Sequence, residues 1–235
     1  MGKKGEICCI SLYVLCLFSM FANNGYAYQS IKQANEFVIT HYGIDDGLPT
    51  ETVTDIEITD DGYLFVASVS GLLRFDGFRF KNFSVSNQSG FTTDRISKIY
   101  DMSPGSILVQ DQNNMLFKLK NGKAIPLVDP VNNEPIKAVA VKEMGSKSFV
   151  ATDENFIYKI ESDTVIILGS AFKNYSIWDI EIIDSLIYTL NTDGIYLSDE
   201  EETKKLNIPR IYRPDLTNHA RLIKLDDHLR ITGKG

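Results

Sequence analysis

The sequence predicts an all-β fold assembled from one repeated four-stranded unit. Three observations predict it: turn-forming residues recur about every forty positions, short apolar strands lie between them, and no stretch after residue 27 carries a sustained helical period. The recurring corners are Gly71, Asn114, Asn155, Gly194 and Gly235, at steps of 43, 41, 39 and 41. Glycine, and asparagine after it, best tolerate the positive φ that tight turns require. Four short strands every ~40–45 residues is the spacing of β-propeller blades. About four and a half blades are expected, an incomplete ring.

Residues 1–27 read as a secretory signal peptide. Lys3 and Lys4 precede the uncharged, mostly apolar Ile7–Ala22, and small residues follow at Gly25 and Ala27. A basic start, a short apolar core and a small-x-small end together mark such a segment, with cleavage expected after Ala27. The competing reading is an uncleaved membrane anchor, although the apolar run is shorter than the ~18–20 residues that span a bilayer. Cys8, Cys9 and Cys16 all lie here. A disulfide scaffold or a cysteine zinc site elsewhere is therefore excluded, and a thiol-free remainder suits an oxidising compartment.

Ile31–Phe37 comes nearest to a helix but is short, and Phe37–Thr40 is expected as the strand that closes the ring. The first blade spans Val53–Phe83. Alternating Val53–Ile58 meets a hairpin turn at Asp60-Asp61-Gly62, then come Tyr63–Ser68, a turn at Ser70-Gly71, Leu72–Phe75, a turn at Asp76-Gly77, and Phe78–Phe83. The unit recurs over Ile96–Leu127 with Gly105, Ile136–Leu168 with Gly145, and Ile177–Ile208 with Ser185. A fifth copy begins at Ala220 and runs to Gly235. Asp199–Lys205 reads as a solvated hairpin loop.

Composition bounds the function. With 24 Lys and Arg against 31 Asp and Glu, the formal charge is −7. Nucleic-acid binding and polybasic membrane attachment both need the opposite sign. The histidines His41, His219 and His228 stand at no metal-binding spacing. Asp45-Asp46, Asp60-Asp61 and Asp226-Asp227 sit at predicted turns, where turn chemistry explains them. No EF-hand loop, nucleophile elbow, P-loop or dinucleotide fingerprint is present. No catalytic residue, cofactor or metal is expected. Binding is expected on loops joining one blade to the next: Asp45–Glu51, Ser84–Arg95, Val128–Pro135, Gly169–Ser176 and Tyr212–His219. Tyr175, Phe91 and His41 are the candidate ligand contacts there, while Trp178, at the start of a strand, reads as packing.

The segment from Asp46 to Phe83 resembles the two-component regulator propeller repeat of bacterial periplasmic sensors. The likeness rests on Gly47-Leu48-Pro49, Asp61-Gly62, Phe65, Ala67-Ser68, Gly71-Leu72 and Phe75-Asp76-Gly77. Phe65 stands where the repeat usually carries tryptophan. In later blades Asn114 and Asn155 replace glycine, Lys118 and Lys159 interrupt the strands, and the likeness persists mainly as spacing. The resemblance implies an extracytoplasmic region of seven-bladed propellers, followed by a membrane helix and a cytoplasmic histidine kinase or diguanylate cyclase. Ligands in that family are frequently glycans or their breakdown products.

The expectation is therefore a periplasmic ligand-sensing module of a signal-transduction receptor, an N-terminal fragment of a seven-bladed ring without its output domain. Its partners would be a glycan or other small ligand and the remainder of its receptor chain. The membrane would be met only through an uncleaved N-terminal anchor or a downstream helix. Alternatives are an envelope protein-interaction scaffold, a secreted polysaccharide-active propeller enzyme, and a complete four-bladed propeller.

Overall fold

The computed structural model describes residues 39–87, 89–102, 105–169, 176–191, 194–198, 203–206, 220–225 and 228–232. Residues 1–27, Tyr175, His219 and Gly235 lie outside them. Two compact units separate between His41 and Tyr42. Of the first, residues 39–41 are described; Ile39 and Thr40 lie in no strand, and Phe37 falls outside the described residues.

The second unit is all-β: four four-stranded antiparallel sheets arranged as an incomplete propeller-like ring, followed by a hairpin. Blade one is β1 (Val53–Ile58), β2 (Leu64–Ser68), β3 (Gly71–Phe75) and β4 (Phe80–Phe83). Blade two is β5 (Ile96–Asp101), β6 (Ile107–Asp111), β7 (Leu116–Lys120) and β8 (Lys123–Pro126). Blade three is β9 (Ala138–Met144), β10 (Lys147–Thr152), β11 (Ile157–Glu161) and β12 (Thr164–Gly169). Blade four is β13 (Ile177–Ile183), β14 (Leu186–Asn191), β15 (Gly194–Ser198) and β16 (Thr203–Lys205). The hairpin pairs β17 (Arg221–Leu225) with β18 (His228–Thr232). Every sheet is a simple meander in chain order.

The expected fourth strand of blade one starts late. Asp76 Oδ1 accepts the N–H groups of Phe78 and Arg79 at 2.9 and 2.8 Å, which holds both in the turn. Phe78 is left 91% exposed and β4 begins at Phe80.

Side chains at the end of each second strand organise the next turn. Ser68, Asp111, Thr152 and Asn191 stand three residues before Gly71, Asn114, Asn155 and Gly194, and all four are buried. Asp111 Oδ1 accepts the N–H groups of Asn113 and Met115. Thr152 Oγ1 accepts that of Phe156, Asn191 Oδ1 that of Gly194, and Ser68 Oγ that of Ser70. These bonds satisfy backbone donors that the turn takes out of the ladder.

The core lies between blades. Phe65, Ala67, Leu72 and Phe83 of blade one pack on Ile99, Ile107, Val109, Phe117 and Leu119 of blade two. Leu108 and Leu116 meet Val150, Tyr158 and Ile160 of blade three. Phe149, Ala151 and Ile157 meet Ile177, Ile180 and Ile187 of blade four. Leu190 and Ile195 meet Ala220 and Leu222. Trp178 packs against that last cluster, as a packing residue should.

First strands of successive blades are bonded directly. Asp55 Oδ2 accepts Ile99 N–H at 3.0 Å, and Asp179 Oδ2 accepts Leu222 N–H at 2.8 Å. Register shifts at Val53/Asp55 and Ile177/Asp179 accompany both aspartates; a bulge re-aims the side chain that follows it. Lys118, an interruption in the repeat pattern, is buried and donates to Ser162 O and, at 2.7 Å, to Asp163 Oδ1 of blade three. Lys120 joins the same carboxylate at 2.6 Å, and the two ammonium groups hold Asp163 down at about 2.

Candidate ligand-binding site

The meander gives the ring two unlike ends. Turns between second and third strands, and the loops joining blades, lie at one end; turns between first and second and between third and fourth strands lie at the other. The expected binding loops Asp45–Glu51, Ser84–Arg95 and Val128–Pro135 belong to the first end.

At that end Asp129, in the loop from blade two to blade three, is buried and fully engaged. Its Oδ1 accepts Val131 N–H at 2.7 Å and Asn132 N–H at 3.0 Å, and its Oδ2 accepts the hydroxyl of Tyr158. The Tyr158 hydrogen bond and then the two amides hold the Asp129 carboxyl below its ordinary value, while burial and Asp129 push the Tyr158 phenol up. Asn132, Glu134, Lys137, Asp153 and Glu154 surround a recess of about 150 Å³ beside this pair. That is below the ~300–1,000 Å³ of ordinary small-molecule pockets. The pair pins the loop.

Phe91 does lie on an inter-blade loop, but it is only 5% exposed and its ring meets Phe117 edge-on at 5.2 Å. Its place in the core between blades one and two leaves no face for stacking on a ligand. His41 is exposed in irregular chain. Tyr175 lies outside the described residues.

The larger cleft, of about 450 Å³, lies at the opposite end between blades one and two. Thr59, Asp61 and Tyr63 come from the β1–β2 turn, Phe65, Arg74, Lys81 and Phe83 from the sheet of blade one. Gly105, Ser106, Asn121 and Gly122 come from the turns of blade two that face them. Phe65, Arg74 and Lys81 form one cross-strand row, because Phe65 pairs with Arg74 and Arg74 with Lys81. The Arg74 guanidinium lies 4.3 Å from the centre of the Tyr63 ring, and Lys81 Nζ 5.1 Å from that of Phe83. Sequence reasoning passed over Arg74 and Lys81: a two-residue turn at Asp76-Gly77 would set Arg74 opposite Arg79, and the four-residue turn held by Asp76 sets it opposite Lys81.

A group of carboxylates crowds the first strands. Tyr100 and Glu143 carry the largest consequences: burial and then the charges of Asp55 and Glu143 push the Tyr100 phenol up. Partial loss of solvent and then the charge of Glu57 push Glu143 up to about 7, while the Asp101 backbone hydrogen bond opposes the shift and the Asp101 charge favours it. Among the described residues no group of three or more His, Cys, Asp or Glu is placed to hold a metal ion.

Solved structures that share the fold include two extracellular domains. One, described as the extracellular domain of a hybrid two component system of B. thetaiotaomicron, has a TM-score of 0.55 at 17% identity, over 73% of this chain and 26% of that one. The other, described as the extracellular domain of a one component system of the same organism, has a TM-score of 0.51 at 15% identity, over 78% of this chain and 28% of that one. The chain thus spans roughly a quarter of the length of each. No family profile and no curated protein matches it.

Proposed function

We propose that the chain is an extracytoplasmic ligand-sensing propeller module of a bacterial signal-transduction receptor, part of a longer protein whose remainder carries the output. The observation that carries this reading is the fold shared with two extracellular domains of one- and two-component systems. The signal-like residues 1–27 and the blade-one pattern around Gly47-Leu48-Pro49 and Asp76-Gly77 agree with it. The role is binding rather than catalysis, in the periplasm, with a glycan or its breakdown product as ligand class.

The test is a thermal-shift screen of the full chain against neutral and acidic oligosaccharides, paired with a residue 1–40 fusion to a reporter active only outside the cytoplasm. A saturable rise in Tm with one glycan class and an active reporter are expected. An inactive reporter overturns the location, and an unmoved Tm across the screen overturns the ligand class.

A second reading, an envelope interaction scaffold, draws on one feature: Ile56 and Ile58 of β1 are 57% and 68% exposed. An exposed apolar strand is a surface for another protein. Recovery of one specific partner by cross-linking in the envelope, with no saccharide response, would favour it.

A further inference from the structure

We infer that the cleft between blades one and two binds an oxyanion, a carboxylate, sulfate or phosphate, carried by a small ligand or free in solution. The inference stands on the cleft alone and does not depend on the sensing role.

The charge arrangement is the first reason. Arg74 and Lys81 are direct cross-strand partners on β3 and β4. Like charges in that relation repel and destabilise a sheet. Among the described residues neither forms an ion pair. Asp76 in the adjoining turn feels the Arg74 charge, but its Oδ1 is committed to the amides of Phe78 and Arg79. Asp61 commits its Oδ1 to the hydroxyl of Thr59 at 2.5 Å.

Hydrogen bonding is the second. Arg74 Nε is buried and has no acceptor. A buried guanidinium N–H without a partner costs free energy, which a small shift of the side chain toward an oxygen bound in the cleft would recover. The Tyr63 ring, 4.3 Å from the guanidinium, restrains the Arg74 side chain before a ligand arrives, which lowers the ordering cost of binding.

Room is the third. A volume of about 450 Å³ lies within the range of small-molecule pockets, far more than one ion needs. Phe65 and Phe83 supply apolar wall, while Thr59, Ser106 and Asn121 supply neutral polar groups around the charged centre. Such a lining suits a hydroxylated ring bearing an acid group.

Lys81→Glu is the decisive variant. It places a carboxylate opposite Arg74, replacing the repulsion with an internal pair that mimics the bound anion, and Lys81 is exposed enough to tolerate the exchange. The full chain and this variant are melted in chloride of matched ionic strength, then titrated with sulfate, phosphate, galacturonate and neutral galactose. In chloride the variant is expected to melt higher than the parent. The parent is expected to gain Tm saturably with at least one oxyanion and not with galactose. The variant should lose that gain, its apparent affinity falling about tenfold or more. Sulfate and phosphate also raise Tm without binding, by exclusion from protein surfaces, and the variant measures that contribution. Saturation by sulfate or phosphate alone assigns the cleft to a free ion; saturation by galacturonate alone assigns it to an acid group on a ring. Equal responses of parent and variant to every anion, or a parent no more responsive to oxyanions than to galactose, overturn the inference. Arg74→Gln gives an independent reading of the same loss.

Discussion

Glu143 stands on β9 near the charges of Glu57 and Asp101, at the end of blade two's first strand. Its carboxyl is raised from 4.5 to about 7 in the folded chain. A carboxyl whose folded value lies above its unfolded value binds its proton more tightly when native. Stability therefore falls as pH rises from 4.5 to about 7, and the full penalty persists above that. Glu143→Gln is expected to raise Tm at about pH 8 and to leave it unchanged at about pH 4, as thermal melts across that range would show. A variant that destabilises equally at both ends would show that the side chain matters through packing and not charge. Lys118 teaches the companion lesson at this scale. Read along the chain it is an error in an apolar strand; in space it is the ammonium that ties blade two to Asp163.

At the scale of the element, the corner residues divide into two turn types. Blades one and four connect second to third strand with two residues, and Gly71 and Gly194 open the third strand at φ of 123° and 142°. Blades two and three use four residues, and Asn114 and Asn155 take the left-handed conformation at 65° and 66°. Asparagine is therefore not a degraded glycine in this repeat: it marks the longer turn, where its conformation is accessible to a side chain. The longer turns also reach forward, since Asn114 O accepts Ala138 N–H and Asn155 Oδ1 accepts Ile177 N–H. At Gly71 a Cβ would lie 2.8 Å from Phe83 O and closer still to Asn82 Oδ1. Gly71→Ala is expected to destabilise by roughly 3 kcal/mol, whereas Asn114→Gly should change stability by no more than about 1 kcal/mol. Urea titration of the two variants checks the difference, and equal losses would count against two turn types.

For the whole molecule, the distribution of apolar surface decides behaviour. Among the described residues each interior blade face is covered by a neighbouring blade, and no sheet covers one face of blade one. Tyr42 covers part of it, its ring 5.0 and 5.7 Å from Phe75 and Phe80, while Ile56 and Ile58 stay open. Exposed β-branched residues on an edge strand invite pairing with another chain. The full chain is expected to associate at micromolar concentration, and the double substitution Ile56→Thr, Ile58→Thr to shift it toward the monomer in light scattering coupled to size exclusion. Unchanged mass would place the association elsewhere. The four-sheet plan was legible in the sequence because corner spacing and strand alternation repeat within each blade. The site was not: Phe91 looked loop-borne by position, yet its loop folds it against Phe117.

What the sequence by itself determined is therefore the local grammar: strand lengths, the positive φ of the four described corners, and a buried small polar residue three positions before each of those four. These depend on neighbours in the chain, where backbone sterics and turn hydrogen bonding act. Only the tertiary structure decided which end of the blades carries the roomy cleft, that Arg74 and Lys81 face the turns of blade two, and that Lys118 finds Asp163. Those outcomes depend on side chains some forty residues apart meeting across an inter-blade layer, and their energies exist only once both sheets are formed and packed.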